Sequence, residues 1–141
     1  MQVTICILFL SLALPLTAQE RDEWQRLYTF EDSAADVSTT NIWFGTDFTG
    51  RIRFRLTLSK PEPVPGKTGT KYKSVIETIE FRCTESLYRV VNVKRFDGKG
   101  NIVGSNEAQP TPEWKSVKAG SMMDKFYTPG CEAIYKKKRN P

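Results

Sequence analysis

Histidine is missing from all 141 residues. Its absence removes the commonest general base, the commonest zinc ligand and the usual haem ligand in one step. Cysteine is scarce, with only Cys6, Cys83 and Cys131; a pairing of two of them leaves nothing for a thiolate metal site. No metal and no cofactor are expected. Long apolar runs are also lacking. Val3 to Leu14 is the longest, and a bilayer span needs about 20 such residues. Catalytic pairs are missing too: Ser74, Ser86 and Ser121 have no imidazole to activate them, and no Ser-x-x-Lys stands where lysine could act as base. The acids Glu31 and Asp32 fall in a turn. Neither a catalytic residue nor an enzymatic role is expected.

What stands at the start of the chain explains part of this poverty. The first eighteen residues carry no charged side chain. Their apolar core ends at Pro15, and Leu16-Thr17-Ala18 offers a small residue before the polar Gln19-Glu20-Arg21-Asp22-Glu23. This is the plan of a secretory signal peptide over 1–18, although no lysine or arginine follows Met1. The expectation is a bacterial-type exported protein whose destination is extracytoplasmic: periplasm, cell surface or medium. Cys6 leaves with the leader. Two cysteines in an exported chain allow one pairing, Cys83 with Cys131, and an oxidising compartment favours it over two buried free thiols. Closing a loop of about 49 residues is worth roughly 4 kcal/mol in the chain-entropy model.

Lysine and arginine total 21 against 16 acids, a formal net charge of +5. Four of the cations, Lys136, Lys137, Lys138 and Arg139, stand in a row, so the excess belongs to a basic tail over 136–141 and not to the domain at 19–135. Specific nucleic-acid binding is therefore not expected.

Between leader and tail the pattern is mostly that of strands. Trp24 to Phe30 reads as a first strand, Glu31 to Asp36 as a polar turn, and Val37 to Phe44 as a second strand closed by turn residues from Gly45 to Gly50. In Arg51 to Ser59, Ile52, Phe54, Leu56 and Leu58 alternate with Arg51, Arg53, Arg55, Thr57 and Ser59, giving one apolar and one basic face. Lys60 to Lys71 holds three prolines and two glycines and is expected to leave the sheet as an exposed loop, either functional or a tolerated insertion. Tyr72 to Cys83 is a long strand with Ile79, Phe81 and Cys83 inward. Leu87 to Phe96 returns after a turn at Thr84-Glu85-Ser86, and Asp97-Gly98-Lys99-Gly100-Asn101 marks a hairpin into Ile102 to Ser105. Trp114 to Val117 is a brief extended piece. Ser121 caps a short helix with Asp124 at its third position, and Pro129-Gly130 ends it. The fold class is α+β: an antiparallel sheet with a short C-terminal helix on one face, tethered there by the disulfide.

The succession Tyr72-Lys73-Ser74, Phe81-Arg82-Cys83, Tyr88-Arg89, Phe96-Asp97-Gly98-Lys99-Gly100, Trp114 to Ser121 and finally Cys131 resembles the surface-adhesin protein E family, with Ala119 where proline is usual. The resemblance implies about six antiparallel strands, a helix held by the Cys83–Cys131 bridge, export and surface adhesion. It carries over no binding residue.

Three features remain as candidate binding elements. Arg51, Arg53 and Arg55, with Arg82 and Lys94, would form a basic patch for an anionic glycan or an acidic extracellular or envelope protein; the bland alternative is a solvated face neutralised by Glu77 and Glu80. Lys136, Lys137, Lys138 and Arg139 would hold an anionic surface, or simply solubilise a disordered end. Trp43, Phe44 and Trp114 serve either as partner anchors or as core; Trp43 and Phe44, being adjacent on a strand, must face opposite sides. A homodimer through the sheet is a further expectation. The leading functional reading is an exported adhesion or binding module. A periplasmic structural or assembly protein, and a small-ligand carrier with its pocket between sheet and helix, are the alternatives.

Overall fold

The computed structural model describes residues 22–107 and 111–139. The leader expected at 1–18, with Cys6, lies outside the described residues. Eight strands precede one helix: β1 (Trp24–Thr29), β2 (Ser33–Ser38), β3 (Trp43–Phe44), β4 (Thr49–Pro63), β5 (Lys71–Arg82), β6 (Leu87–Phe96), β7 (Ile102–Glu107), β8 (Lys115–Ser116) and α1 (Met122–Arg139). All pairings are antiparallel, and six strands form the sheet in the order β1-β2-β4-β5-β6-β7. The dipeptide strands extend it: β3 pairs with β4 beyond the end of β2, and β8 pairs with β6 beyond the end of β7.

The strongest alternation, from Arg51 onward, gives the central strand β4, with Ile52 and Phe54 buried. The Asp97 hairpin forms as its composition requires. The Asp97 carboxylate accepts hydrogen bonds from the amides of Lys99 and Asn101, and Gly100 takes the left-handed conformation. Three strand expectations differ. Val37 to Phe44 is not one strand: β2 ends at Ser38, and only Trp43–Phe44 returns to the sheet, as β3 beside β4. The turn expected at Glu31 to Asp36 is only its first two residues, because Ser33–Ser38 pairs with both β1 and β4. Ala, Asp and Ser are poor strand formers alone, but a central position between two strands overrides that preference. Likewise β4 does not leave the sheet at Lys60. It bulges between Thr57 and Glu62, then pairs through Pro63 with Lys71. The Val64 amide donates to Thr70, so alternation turns the nitrogens of Pro61 and Pro63 toward the edge that β2 has vacated, where a missing N–H costs nothing. The loop shrinks to residues 64–70.

The helix lies over β3, β4 and β5. Ser121 caps it: its hydroxyl accepts from the Asp124 amide at 3.2 Å, while the Asp124 carboxylate accepts from the Gly120 amide at 2.9 Å. Its inner side brings Phe126, Gly130, Cys131 and Ile134 onto Ile52, Phe54, Ile79 and Phe81. Phe54 stacks on Phe126 with ring centroids 4.6 Å apart. The approach is close enough to need glycine on both sides. A Cβ at Gly130 would lie 2.8 Å from Phe81, and one at Gly50 would lie 2.6 Å from Ile134. The Cys83–Cys131 bridge, with Cα atoms 5.7 Å apart, fastens this contact. The Tyr127 hydroxyl adds a hydrogen bond of 2.6 Å to the Cys83 carbonyl.

Pro129 and Gly130 do not end the helix, as their composition suggests they should. They stand inside it, and the basic residues Lys136 to Arg139 form its last turn, not a disordered end. Pro129 cannot donate to the Lys125 carbonyl four residues earlier. The Tyr28 hydroxyl of β1 donates to that carbonyl instead, at 3.3 Å. The glycine that would normally terminate a helix is used here for close packing, and the disulfide one residue later holds the second half in place. The cations at the C-terminus also suit the negative end of the helix dipole.

Two outcomes follow from this arrangement. Cys83→Ser or Cys131→Ser should lower stability by about 2–4 kcal/mol in thermal unfolding and release one titratable thiol each; two free thiols in the wild-type protein would contradict the bridge. Tyr28→Phe should cost about 0.5–1 kcal/mol in urea denaturation. In a Pro129→Ala background, where an amide again reaches Lys125, the same change should cost almost nothing.

Candidate functional site

With the helix covering one face, the other face of the sheet is open, and the alternating arginines of β4 project from it. Their cross-strand neighbours are set by register. Arg55 stands between Asp36 of β2 and Ile76 of β5, and Lys94 of β6 follows. Arg53 stands beside Thr78 and then Asn92; Arg51 stands between Trp43 of β3 and Glu80 of β5, which in turn faces Arg89.

Two carboxylates organise this surface. Asp36, 2% exposed, accepts from Arg26 of β1 and from Arg55, the latter at 2.8 Å. Glu80, 3% exposed, accepts from Arg51 at 2.8 Å and from Arg89 at 2.6 Å. Each buried anion thus serves two guanidinium groups, and each cluster keeps one surplus positive charge. Asp22, which also accepts from Ser38 and Asn41, neutralises Arg53 at 2.9 Å. Arginine planes lie on aromatic rings at the margins: Arg55 on Trp24 at 4.6 Å and Arg51 on Trp43 at 5.2 Å. Trp114 lies within 4.5 Å of both Arg82 and Arg89. Such contacts hold a guanidinium in place while leaving part of it wet. Lys94 is exposed and has no carboxylate partner among the described residues.

The face is concave in two places. A hollow of about 510 Å³ is lined by the polar groups of Asp22, Arg51, Arg53, Thr78, Asn92 and Lys94 and by the apolar side chains of Ile76, Val91 and Phe96. A second, of about 330 Å³, is lined by Trp43 and Trp114 together with Asp47, Glu80, Arg82, Glu85 and Arg89. Arg51 joins them, lining the first and stacking on the tryptophan of the second.

The structure therefore brings Arg51, Arg53, Arg55, Arg82 and Lys94 together on one face. It places Lys136, Lys137, Lys138 and Arg139 elsewhere, on the last turn of α1, where Lys138 lies over Phe48 at 4.2 Å. These eight arginines and lysines of sheet and tail, with Lys94, do not make a single site. Of the expected neutralising acids, Glu80 is one. Glu77 is not: it lies in register with Phe54 and Val93, on the side of Ile79 and Phe81. Asp22 and Asp36 take that role, and they gave no sign in sequence beyond being acids near Arg/Lys alternation. Arg26 and Arg89 escaped notice because single-residue bulges put them in phase with the others. Trp43 is half exposed, at 50%, while Phe44 turns into the core. Between sheet and helix the space is filled by packed rings; a hollow of about 450 Å³ lies beside the helix, open to solvent, where Leu27, Val37 and Ile42 face Pro129 and Ala133.

The carboxyls differ in sign of perturbation. Burial opposes ionisation of Asp36, but the hydrogen bonds and charges of Arg26 and Arg55 outweigh it and hold the group below its ordinary range; Asn41, Arg53 and Ser38 do the same for Asp22. Burial pushes Glu77 upward, and Arg95 offsets this only in part. A depressed carboxyl stabilises the fold above its unfolded-state pKa and loses that contribution as pH falls through the folded value. Stability should therefore decline in acid below about pH 4, and Asp36→Asn should flatten part of that decline. Glu77 has the opposite sign. Glu77→Gln should raise the melting temperature at pH 7 and leave it nearly unchanged at pH 4.

The family model for surface-adhesin protein E matches residues 24–132. No curated protein matches the chain.

Proposed function

This chain belongs to the surface-adhesin protein E family, and from that premise we propose that it is an exported, non-enzymatic adhesion module that engages an external partner of acidic character through the open face of its sheet. The observation that supports this reading is the asymmetry of the two faces. One is covered over β3, β4 and β5 by a covalently pinned helix. The other presents arginines held in fixed positions by buried carboxylates, with two hollows between them. Nothing about folding requires the second face to be shaped in this way; a solvated face of scattered charges would suffice.

The family name points to a cell-surface or extracellular location. Among the described residues no helix is long and apolar enough to cross a membrane. The shape of the site fits recognition. Its cations are arginines, which bind carboxylates and sulfates through paired N–H donors. Its margins are aromatic, as interface anchors commonly are.

Protease treatment of intact cells of the native source tests the location. Digestion without lysis, beside a protected periplasmic control, is the expected result. Protection until lysis would remove the adhesin reading and favour a periplasmic assembly role. On cells where the protein is exposed, Lys94→Glu combined with Trp43→Asp should reduce attachment to host-cell or matrix surfaces at least fivefold with the melting temperature unchanged. Undiminished attachment would show that another surface binds.

A further inference from the structure

Resting on the open face as the adhesive surface, we propose that its ligand is an acidic oligosaccharide lying along β5. The anionic groups bind at the Arg53–Lys94 end, and one sugar ring lies against Trp43.

Three observations carry this. The first is the shape of the track. The two hollows follow one another beside β5, the first at Ile76 and Thr78 and the second at Glu80 and Arg82, with Arg51 standing where one gives way to the other. Six residue steps of strand cover about 20 Å. That is the length of a short oligosaccharide and is too long and narrow for one small anion. The second is polarity. A protein–protein interface of ordinary size has an apolar, aromatic-rich centre. The centre here is Arg53, Thr78 and Asn92, with Ile76, Val91, Phe96 and Pro112 around them. Hydroxyl, amide and guanidinium groups at close spacing match the alternating hydroxyl and acid groups of a polysaccharide better than an apolar hot spot.

The third is the tryptophan. Trp43 keeps half its surface exposed even though Arg51 lies over its ring. Its indole is laid down against Gly45, where a Cβ would come within 2.6 Å of the ring. The exposed edge of this supported indole, next to charged donors, suits contact with the apolar C–H groups of a pyranose ring, whose hydroxyls then reach Arg82 and Thr49. The charges fit as well. Glu80 is shared by Arg51 and Arg89, and Asp36 by Arg26 and Arg55. Asp22 answers Arg53, Glu85 answers Arg82, and Asp47 stands in the second hollow; with Lys94 added, the face still keeps a net positive charge that an acidic polymer can neutralise without displacing any buried carboxylate.

Titration calorimetry with the folded domain separates the outcomes. The probes are a sulfated heparin-type octasaccharide, a neutral malto-octasaccharide and polyglutamate of matched charge. The sulfated octasaccharide should bind. Lys94→Gln and Trp43→Ala should each weaken it at least fivefold while leaving the melting temperature unchanged, and the other two probes should bind at least tenfold more weakly. Equal binding of polyglutamate would overturn the proposal in favour of an acidic protein. Binding that ignores Trp43→Ala would reduce it to charge screening, and so overturn it too. The adhesion reading is judged separately, by cell attachment. Attachment that persists while no octasaccharide binds or competes would end the glycan proposal and leave that reading standing. Attachment blocked by soluble octasaccharide supports both.

Discussion

The contact between Cys131 on the helix and Cys83 at the end of β5 decides which face of the sheet is covered, and the rest of the molecule is arranged around that decision. A helix carrying a proline and a glycine in adjacent positions would not be expected to hold together alone. Here the glycine is where the helix presses on Phe81, the carbonyl left free by the proline is met by Tyr28, and the disulfide closes the contact one residue later. Each apparent helix breaker is thus matched by a tertiary partner. Propensity for a helix end is outweighed by packing, which supplies most helical stability in proteins.

Sealing one face fixes what the other can be. Period-two alternation sends every residue that is not in the core to the open side, so the arginines of β4 reach it without further instruction. Their positions there are another matter. An exposed arginine paired with an exposed acid is worth little and samples many rotamers. A buried carboxylate changes this, because its charge must be met wherever it is. Asp36 and Glu80 are each met by two guanidinium groups, and the price of burying the anion is offset only while both arms stay in place.

This accounts for how much was legible beforehand. Strands with strict alternation, the Asp97 hairpin, the Ser121 cap and the cysteine pairing were readable from local pattern, and the sheet-plus-helix class followed. Arg51, Arg53 and Arg55 were readable as one face. Their partners were not. Arg89 and Lys94 have opposite parity along β6, and a regular strand would place them on opposite faces. The register against β5 slips by one residue between Val90 and Asn92, and that slip brings both to the open side. The same device at Leu27 in β1 sets Arg26 beside Asp36. A bulge has no strong single-sequence signature, so a face assembled through two of them could not be counted out from alternation. Pro61 and Pro63 misled for a related reason: whether a proline leaves a sheet depends on which neighbour its nitrogen faces, and that is a property of topology.

Stability alone gives no reason for the open face to be built in this way. Replacing a buried ion pair by well-packed apolar residues is often neutral or favourable, and an outer face needs only enough charge to stay soluble. A β-branched residue at Asp36 or Glu80 would suit a central strand better than a carboxylate does. What the carboxylates achieve instead is geometric. They hold four arginines, drawn from β1, β4 and β6, in place across the sheet. Aromatic rings at Trp24, Trp43 and Trp114 restrain the same planes from the side. On the adhesion reading, a surface that keeps its charged groups ordered is prepared for what it meets. The ordering entropy that a partner would otherwise have to overcome on binding is already spent in the folded protein.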